Sequence, residues 1–363
     1  MTMIIQNILA IISFLTNSLL TFLIFTKSPK TMGSYKYLMA FMTGFELVYA
    51  LIDLLIQPEI VTMNSLWVTM TSSKRAIVPL SVAYPLLLLW GGSFGIALAS
   101  FGAHFLYRYF IVTGNKKWVS GTTFFTFWIG IPIASGFMYV FAIDYFLQLN
   151  QVMDGIVRAK LMVSEGVPGD QLRYFSSYLF LTTPSDPVSQ LDWKQIQGLI
   201  FLCSTISLSL FTMIYFGLKT FSEIRKLQDT TSVSASSKTL QTQLFYSLVI
   251  QTTIPVILIH FPTTLIYIST FFNAAPPIQG TICTITISMF PAIDPLPSLI
   301  IIKPYRQAIL GMGQVALKNA SVRKYLQLKP AEVELTHFEF ADSKYIFRFC
   351  PRGLVSEKNK VKV

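Results

Sequence analysis

The chain has 363 residues, of which 53% are hydrophobic, 14% aromatic and 12% charged, with a formal net charge of +11. A soluble domain carries about 25% charged residues, so a water-soluble fold is excluded, and long apolar runs recurring along the chain point to one polytopic membrane domain. The basic excess forms no aromatic-interleaved patch or nucleic-acid motif, which argues against a nucleic-acid partner.

The expected fold is an all-α seven-transmembrane helix bundle, with spans near residues 3–26, 36–60, 78–110, 119–143, 197–218, 240–268 and 278–302. The first run lacks a basic region ahead of it and is too long for a signal-peptide core, so it is expected to be a retained span. Span two carries Glu46, then Asp53 two helical turns on, then Glu59 near its outer end. Carboxylates inside a span suggest function by default. They either face ligand or ion, or anchor neighbouring helices by hydrogen bonds.

Span three is too long for one simple crossing, and Pro79 and Pro85 are expected to make its outer end irregular. Gly91, Gly95, Ala99 and Ala103 recur every fourth residue, a stripe suited to close helix packing. Toward the other end, His104 and Arg108 share one face, with Tyr107 and Tyr109 flanking the arginine. Arg108 either snorkels to lipid head groups or acts as a switch.

Beyond span four, the segment Asp144 to Gln195 holds six acidic and four basic residues and reads either as a lid or as a connector. Spans five and six are expected to extend as helices around a polar turn at "TTSVSASS". Span six contains Pro255 and Pro262, which interrupt the carbonyl ladder, and His260, which is either a ligand contact or a packing histidine. Span seven ends in "PAIDPLPSLIIIKPYR", where Asp294 stands between Pro291 and Pro295 and can be protonated, bind an ion or accept hydrogen bonds. Residues 1–310 are expected to form the seven-transmembrane domain and 311–363 a basic cytoplasmic tail, whose amphipathic start suits an anionic inner leaflet. The sequon at Asn319 lies in that tail and predicts no glycosylation. Three cysteines, Cys203, Cys283 and Cys350, do not make a disulfide framework.

Lysine and arginine set the orientation, because cytoplasmic loops hold the excess. The short segments carry 10 on one side and 2 on the other. This places the N-terminus outside and the C-terminus inside. No nucleophile motif, phosphate loop or metal-ligand spacing appears, so no enzymatic activity, cofactor or metal is expected.

The stretches "MGSYKYLMAFMTGFELVYALIDLLIQPEI", "GAHFLYRYF", "KTLQTQLFYSLVIQTTIPVILIHFP" and "PAIDPLPSLIIIKPYRQAI" resemble the Str class of nematode serpentine chemoreceptors, and the resemblance covers about residues 5–310. It implies a G-protein-coupled olfactory receptor in the plasma membrane of sensory-neuron cilia, with a small odorant and a heterotrimeric G protein as partners. "YRY" stands where rhodopsin-like receptors have Asp-Arg-Tyr, so Arg108 inherits the G-protein-facing role while Tyr107 replaces the acidic neighbour. Asp294 and Pro295 match the Asn-Pro step of those receptors, and the disulfide usual in the wider class has no cysteines to form it.

From depth alone, the ligand cavity is expected to be lined by Asp53, Tyr84, Trp90, His260, Tyr267 and Cys283 among the outer halves of spans two, three, five, six and seven. The activation switch is assigned to Glu46, His104, Arg108, Pro262, Asp294 and Pro295. The alternative is an odorant-gated ion channel or a small-molecule transporter. A transporter should show repeats with matching broken helices, and the sequence has none.

Overall fold

In hydrocarbon a backbone group finds no water to bond, so each long apolar run closes most of its hydrogen bonds within its own helix. A computed structural model of the protein describes residues 2–119, 121, 124–148, 151–183, 186–229, 234–312 and 314. Among the described residues seven helical segments are long and apolar enough to cross a membrane. The chain is a mostly helical seven-transmembrane bundle.

The first segment, α1 (Thr2–Lys27), turns Gln6, Ser13 and Asn17 inward and Ile4, Ile8, Ile11 and Leu15 outward. That is the reverse of a soluble amphipathic helix and suits a lipid solvent. The second, α2 (Tyr35–Ile56), packs on α1 and ends where Gln57 takes a φ of 42° and donates its N–H to the Asp53 carbonyl at 2.8 Å. Pro58 cannot extend the helix. The chain continues as a hairpin of β1 (Glu59–Met63) and β2 (Leu66–Ser72). Glu59 therefore stands in a strand, not at the end of a span as expected, and pairs with Arg75 at 2.9 Å.

Helix α3 (Leu80–Val112) runs unbroken through Pro85, about 50 Å in all. The irregular outer end expected there is absent, because a proline close to the N-terminus removes a single ladder bond. A π-helical stretch, Phe124–Gly130, leads into α4 (Ile131–Phe146). The small-residue stripe lets α3 and α4 approach closely: a Cβ on Gly95 would lie 2.6 Å from the Ser135 carbonyl oxygen.

The described residues after α4 form regular secondary structure. They make an amphipathic helix, α5 (Gln151–Glu165), then β3 (Leu172–Tyr178) and a second hairpin of β4 (Phe180–Thr183) and β5 (Asp186–Leu191). Strand β3 pairs antiparallel with β2, giving a three-stranded sheet in the order β1-β2-β3. Alternation then assigns two faces. Leu66, Val68 and Met70 pack with Val157 and Leu161 of α5 on one face, while Ile60, Trp67 and Phe175 join the bundle core on the other.

The fifth span belongs to α6 (Trp193–Asp229). The sixth combines α7 (Ala235–Pro255), a π-helical turn at Val256–His260 and α8 (Phe261–Phe271). Its break begins at Pro255, whereas Pro262 sits in the first turn of α8, where a missing N–H costs little. The seventh comprises α9 (Pro277–Ile293) and α10 (Leu296–Ile301), and residues 303–312 are again helical. Half of the expected polar turn, residues 230–233, and the tail beyond 314, with Asn319 and Cys350, lie outside the described residues.

Candidate functional site

The sheet roofs one end of the bundle. Beneath it is an apolar cavity of about 50 Å³, walled by Ile60, Trp67, Thr69 and Phe175 from the roof, Trp90 and Phe94 from α3, Tyr139 and Ile143 from α4, Leu202 from α6, Thr263 and Tyr267 from α8, and Cys283 and Ile287 from α9. Of the six residues expected to line a cavity, Trp90, Tyr267 and Cys283 meet here. Span four joins the wall and span two does not.

Asp53 lies one layer behind. One carboxylate oxygen accepts from the Trp90 indole N–H at 2.9 Å and the other from the Ser288 hydroxyl at 3.0 Å. It thus fixes a wall ring through a buried hydrogen bond. His260 is also behind the wall, its Nδ1 donating to the Pro255 carbonyl at 3.0 Å within its own π-helical turn. Tyr84 lines a different space, an open recess of about 460 Å³ between the start of α3, α5 and β3. Its hydroxyl donates to Asp144 at 3.1 Å.

In that recess Arg158 binds Asp154 at 2.8 Å, and Tyr174 donates to the same carboxylate. Partial burial pushes the Asp154 carboxyl up, but the hydrogen bonds from Arg158 and Tyr174 and the charge of Arg158 outweigh it and hold the group below its ordinary value.

Midway down the bundle, the prolines of span seven free carbonyls that neighbouring helices then satisfy. Pro295 has no N–H for the Pro291 carbonyl, which accepts instead from Asn17 at 2.8 Å and Ser13 at 3.1 Å, both on α1. Asp294 is 1% exposed and takes the Gln251 amide on its carbonyl at 3.1 Å and on one carboxylate oxygen at 3.3 Å. Ser298 donates to Gln251 and pairs with Ser247, which ties spans six and seven together. Glu46, also 1% exposed, lies close enough to Asp294 and Asn17 to interact with both, but neither of its oxygens has a hydrogen bond of ordinary geometry among the described residues. Two of the candidate switch residues, on spans two and seven, are therefore neighbours.

Arg108 stands about 40 Å along α3 from Leu80. It is 1% exposed, so it does not snorkel to lipid. Its guanidinium carbon sits 3.6 Å from the Tyr35 ring centroid, and Nη1 donates to Gln241 of α7 at 2.9 Å. Nε and Nη2 have no partner among the described residues. A desolvated cation over an aromatic face is stabilised by about 2 kcal/mol, which supports the charge without a carboxylate. His104 is one turn away, with Nδ1 3.4 Å from the Tyr35 hydroxyl. Sequence reasoning missed Tyr35 and Gln241, and it missed the roof residues Trp67 and Phe175. The alternating pattern in "LWVTMTS" was the available signal for the roof. Among the described residues no group of three or more His, Cys, Asp or Glu side chains is gathered as a metal site would be.

A family model described as serpentine type 7TM GPCR chemoreceptor Str matches residues 2–310. The chain is 31% identical to G-protein coupled receptor str-217 of Caenorhabditis elegans over 307 residues, which covers 84% of this chain and 87% of the relative. It is 25% identical to serpentine receptor class r-10 of the same organism, covering 83% and 87%, and 24% identical to G-protein coupled receptor str-33, covering 87% and 91%.

Proposed function

Because the chain belongs to the Str family of serpentine seven-transmembrane chemoreceptors, we propose that this multi-pass membrane receptor binds a small odorant in the roofed cavity and activates a heterotrimeric G protein at the opposite end of the bundle. The observation that carries this reading is the apolar cavity beneath the roof, since pockets for small molecules are concave, mostly apolar and few per protein. The positive-inside bias supports a roof facing outside and an Arg108 end facing the cytoplasm. The family supports a plasma-membrane location in sensory-neuron cilia.

Ligand in the cavity touches α8 and α9 directly. It biases an equilibrium between two packings of the same helices. The π-helical turn after Pro255 gives span six a pivot between cavity and cytoplasm, so of the two prolines expected to form the hinge it is Pro255 that supports one. Moving α7 withdraws Gln241 from Arg108, whose remaining donors become available to the G protein.

The test is expression with a G protein and an odorant panel, read by nucleotide exchange. Thr263→Phe, which fills the cavity, should abolish the response at unchanged surface expression. Arg108→Ala should lower it at least tenfold while ligand binding persists. A response that survives both changes overturns the reading.

A further inference from the structure

The cavity wall is tied to a cation that lies outside it. Arg75, in the loop after β2, has a side chain only 11% exposed, and its guanidinium is shared among four residues. Nε donates to the Gln57 carbonyl at 2.9 Å, Nη1 pairs with Glu59 at 2.9 Å and reaches the Thr2 hydroxyl at 3.5 Å, and Nη2 donates to Oε1 of Gln6 at 3.0 Å. Gln6 belongs to α1, none of whose described residues lines the cavity, yet its side chain is buried in the bundle.

From Gln6 inward every bond runs the same way. A guanidinium can only donate, so the Gln6 amide turns its oxygen to Arg75 and its nitrogen inward. That nitrogen donates to the Pro58 carbonyl at 2.9 Å and to the Ser288 hydroxyl of α9 at 3.4 Å. Ser288 donates in turn to Asp53 at 3.0 Å, and the other Asp53 oxygen accepts from the Trp90 indole, which also can only donate, at 2.9 Å. Asp53 thus accepts on both oxygens and donates to nothing among the described residues, which matches an ionised carboxyl. A buried carboxylate is costly unless a counter-charge compensates it, and hydrogen bonds aligned head to tail strengthen one another. This relay does both, because it begins on a cation and each bond in it points toward Asp53.

Trp90 is where the relay meets the cavity. Stacking on Tyr49 at 6.1 Å leaves the indole free to slide in its own plane, and the directional bond to Asp53 stops it. From the unbroken relay we infer that Arg75 is a positioning residue for the cavity: through Gln6, Ser288 and Asp53 it holds the Trp90 ring in place. The first span and the loop after the roof hairpin then shape a wall that neither of them touches. That this governs ligand fit rests on the reading of the cavity as the ligand site. The competing role for Arg75 is a clamp, which pins its loop to the end of α2 through Gln57 and Glu59 and leaves Trp90 unaffected.

The experiment uses the full-length receptor in lipid nanodiscs, with isotope-labelled tryptophan and no ligand, so its failure leaves the cavity reading standing. Hydrogen exchange of the Trp90 indole N–H is followed by NMR, the signal being assigned by its loss in Trp90→Phe. Arg75→Gln should speed that exchange about tenfold, as for groups that share one hydrogen-bond network, and Arg75→Lys should bring it back to within about threefold of the native rate. Glu59→Gln breaks the ion pair and spares the relay, so it should change the rate by less than about twofold. In a Ser288→Ala background, where the relay is cut before Asp53, Arg75→Gln should add less than about twofold. If Arg75→Gln does not fold, Gln6→Met, which leaves Arg75 on Glu59 and Gln57, should give the same tenfold rise. An indole rate that neither Arg75→Gln nor Gln6→Met moves, a rise that Glu59→Gln reproduces, or an effect of Arg75→Gln undiminished by Ser288→Ala overturns the inference and makes Arg75 a loop clamp.

Discussion

Asp294 sits where proline has left a carbonyl without its helical partner: Gln251 bonds its carboxylate, Ser298 bonds Gln251, Asn17 bonds the freed Pro291 carbonyl, and the Glu46 carboxyl lies beside it. The carboxylate is therefore part of a shared polar layer between spans one, two, six and seven, in which a change at any member shifts hydrogen bonds on the others. Asp294→Leu should keep surface expression within about twofold and alter signalling at least fivefold in potency or basal level, whereas Asp294→Asn, which still accepts from Gln251, should alter it less. Loss of expression alone would make the residue a structural anchor. A second titratable group acts at the roof. Since the folded Asp154 carboxyl lies below its unfolded value of about 3.9, its contribution is complete above that pH and is lost as pH falls through the folded value. Hydrogen-exchange protection of α5, corrected for intrinsic rate, should stay level from pH 7 to 5 and decline below about pH 4 by up to about 1 kcal/mol. Asp154→Asn should flatten that dependence.

At the level of elements, the roof is seated on the seventh span through hydrogen bonds between backbone groups and threonine hydroxyls. The Ile60 N–H donates to Thr284 at 2.8 Å, Thr62 donates to the Pro276 carbonyl at 2.7 Å, and the Gly280 N–H reaches the Thr62 hydroxyl at 3.2 Å. Gly280 is required by this approach, because a Cβ there would collide with the Ile60 carbonyl. Gly280→Ala should destabilise the receptor by about 1–3 kcal/mol. Gly44, inside α2 with open space around it, is the matched control: Gly44→Ala should be neutral or stabilising by up to about 1 kcal/mol. Thermal unfolding in detergent separates the two signs. The helices of these contacts were legible from apolar run length, but the strands were not. Leu66–Ser72 alternates only from Val68 onward and is buried on both faces, and its pairing with Leu172–Tyr178 spans about a hundred residues of chain, a partner about which local pattern says nothing. The same limit hid Gln241 from Arg108, since the residues that position a buried charge are chosen by packing.

For the whole molecule, the asymmetry of the ends is the main constraint. Basic residues crowd the segments around the Arg108 end, and the roof covers the other, so an epitope at the N-terminus should be accessible to antibody on intact cells and one at the C-terminus only after permeabilisation. The reverse pattern would favour an inverted, channel-like topology. Length, hydropathy and charge bias make the bundle legible in the amino-acid sequence, and they place Trp90, Tyr267 and Cys283 at a common depth. They do not reveal that Asp53 and His260 stand behind the wall, because depth specifies a layer and not which side of a helix faces inward. One consequence of the roof concerns time. A three-stranded sheet paired edge to edge and resting on a glycine of the seventh span cannot peel open one side chain at a time; it tilts as a plate. If the cavity beneath it is the ligand site as proposed, two molecules of equal affinity that brace the plate differently would differ in how long they stay, which stopped-flow dissociation would read.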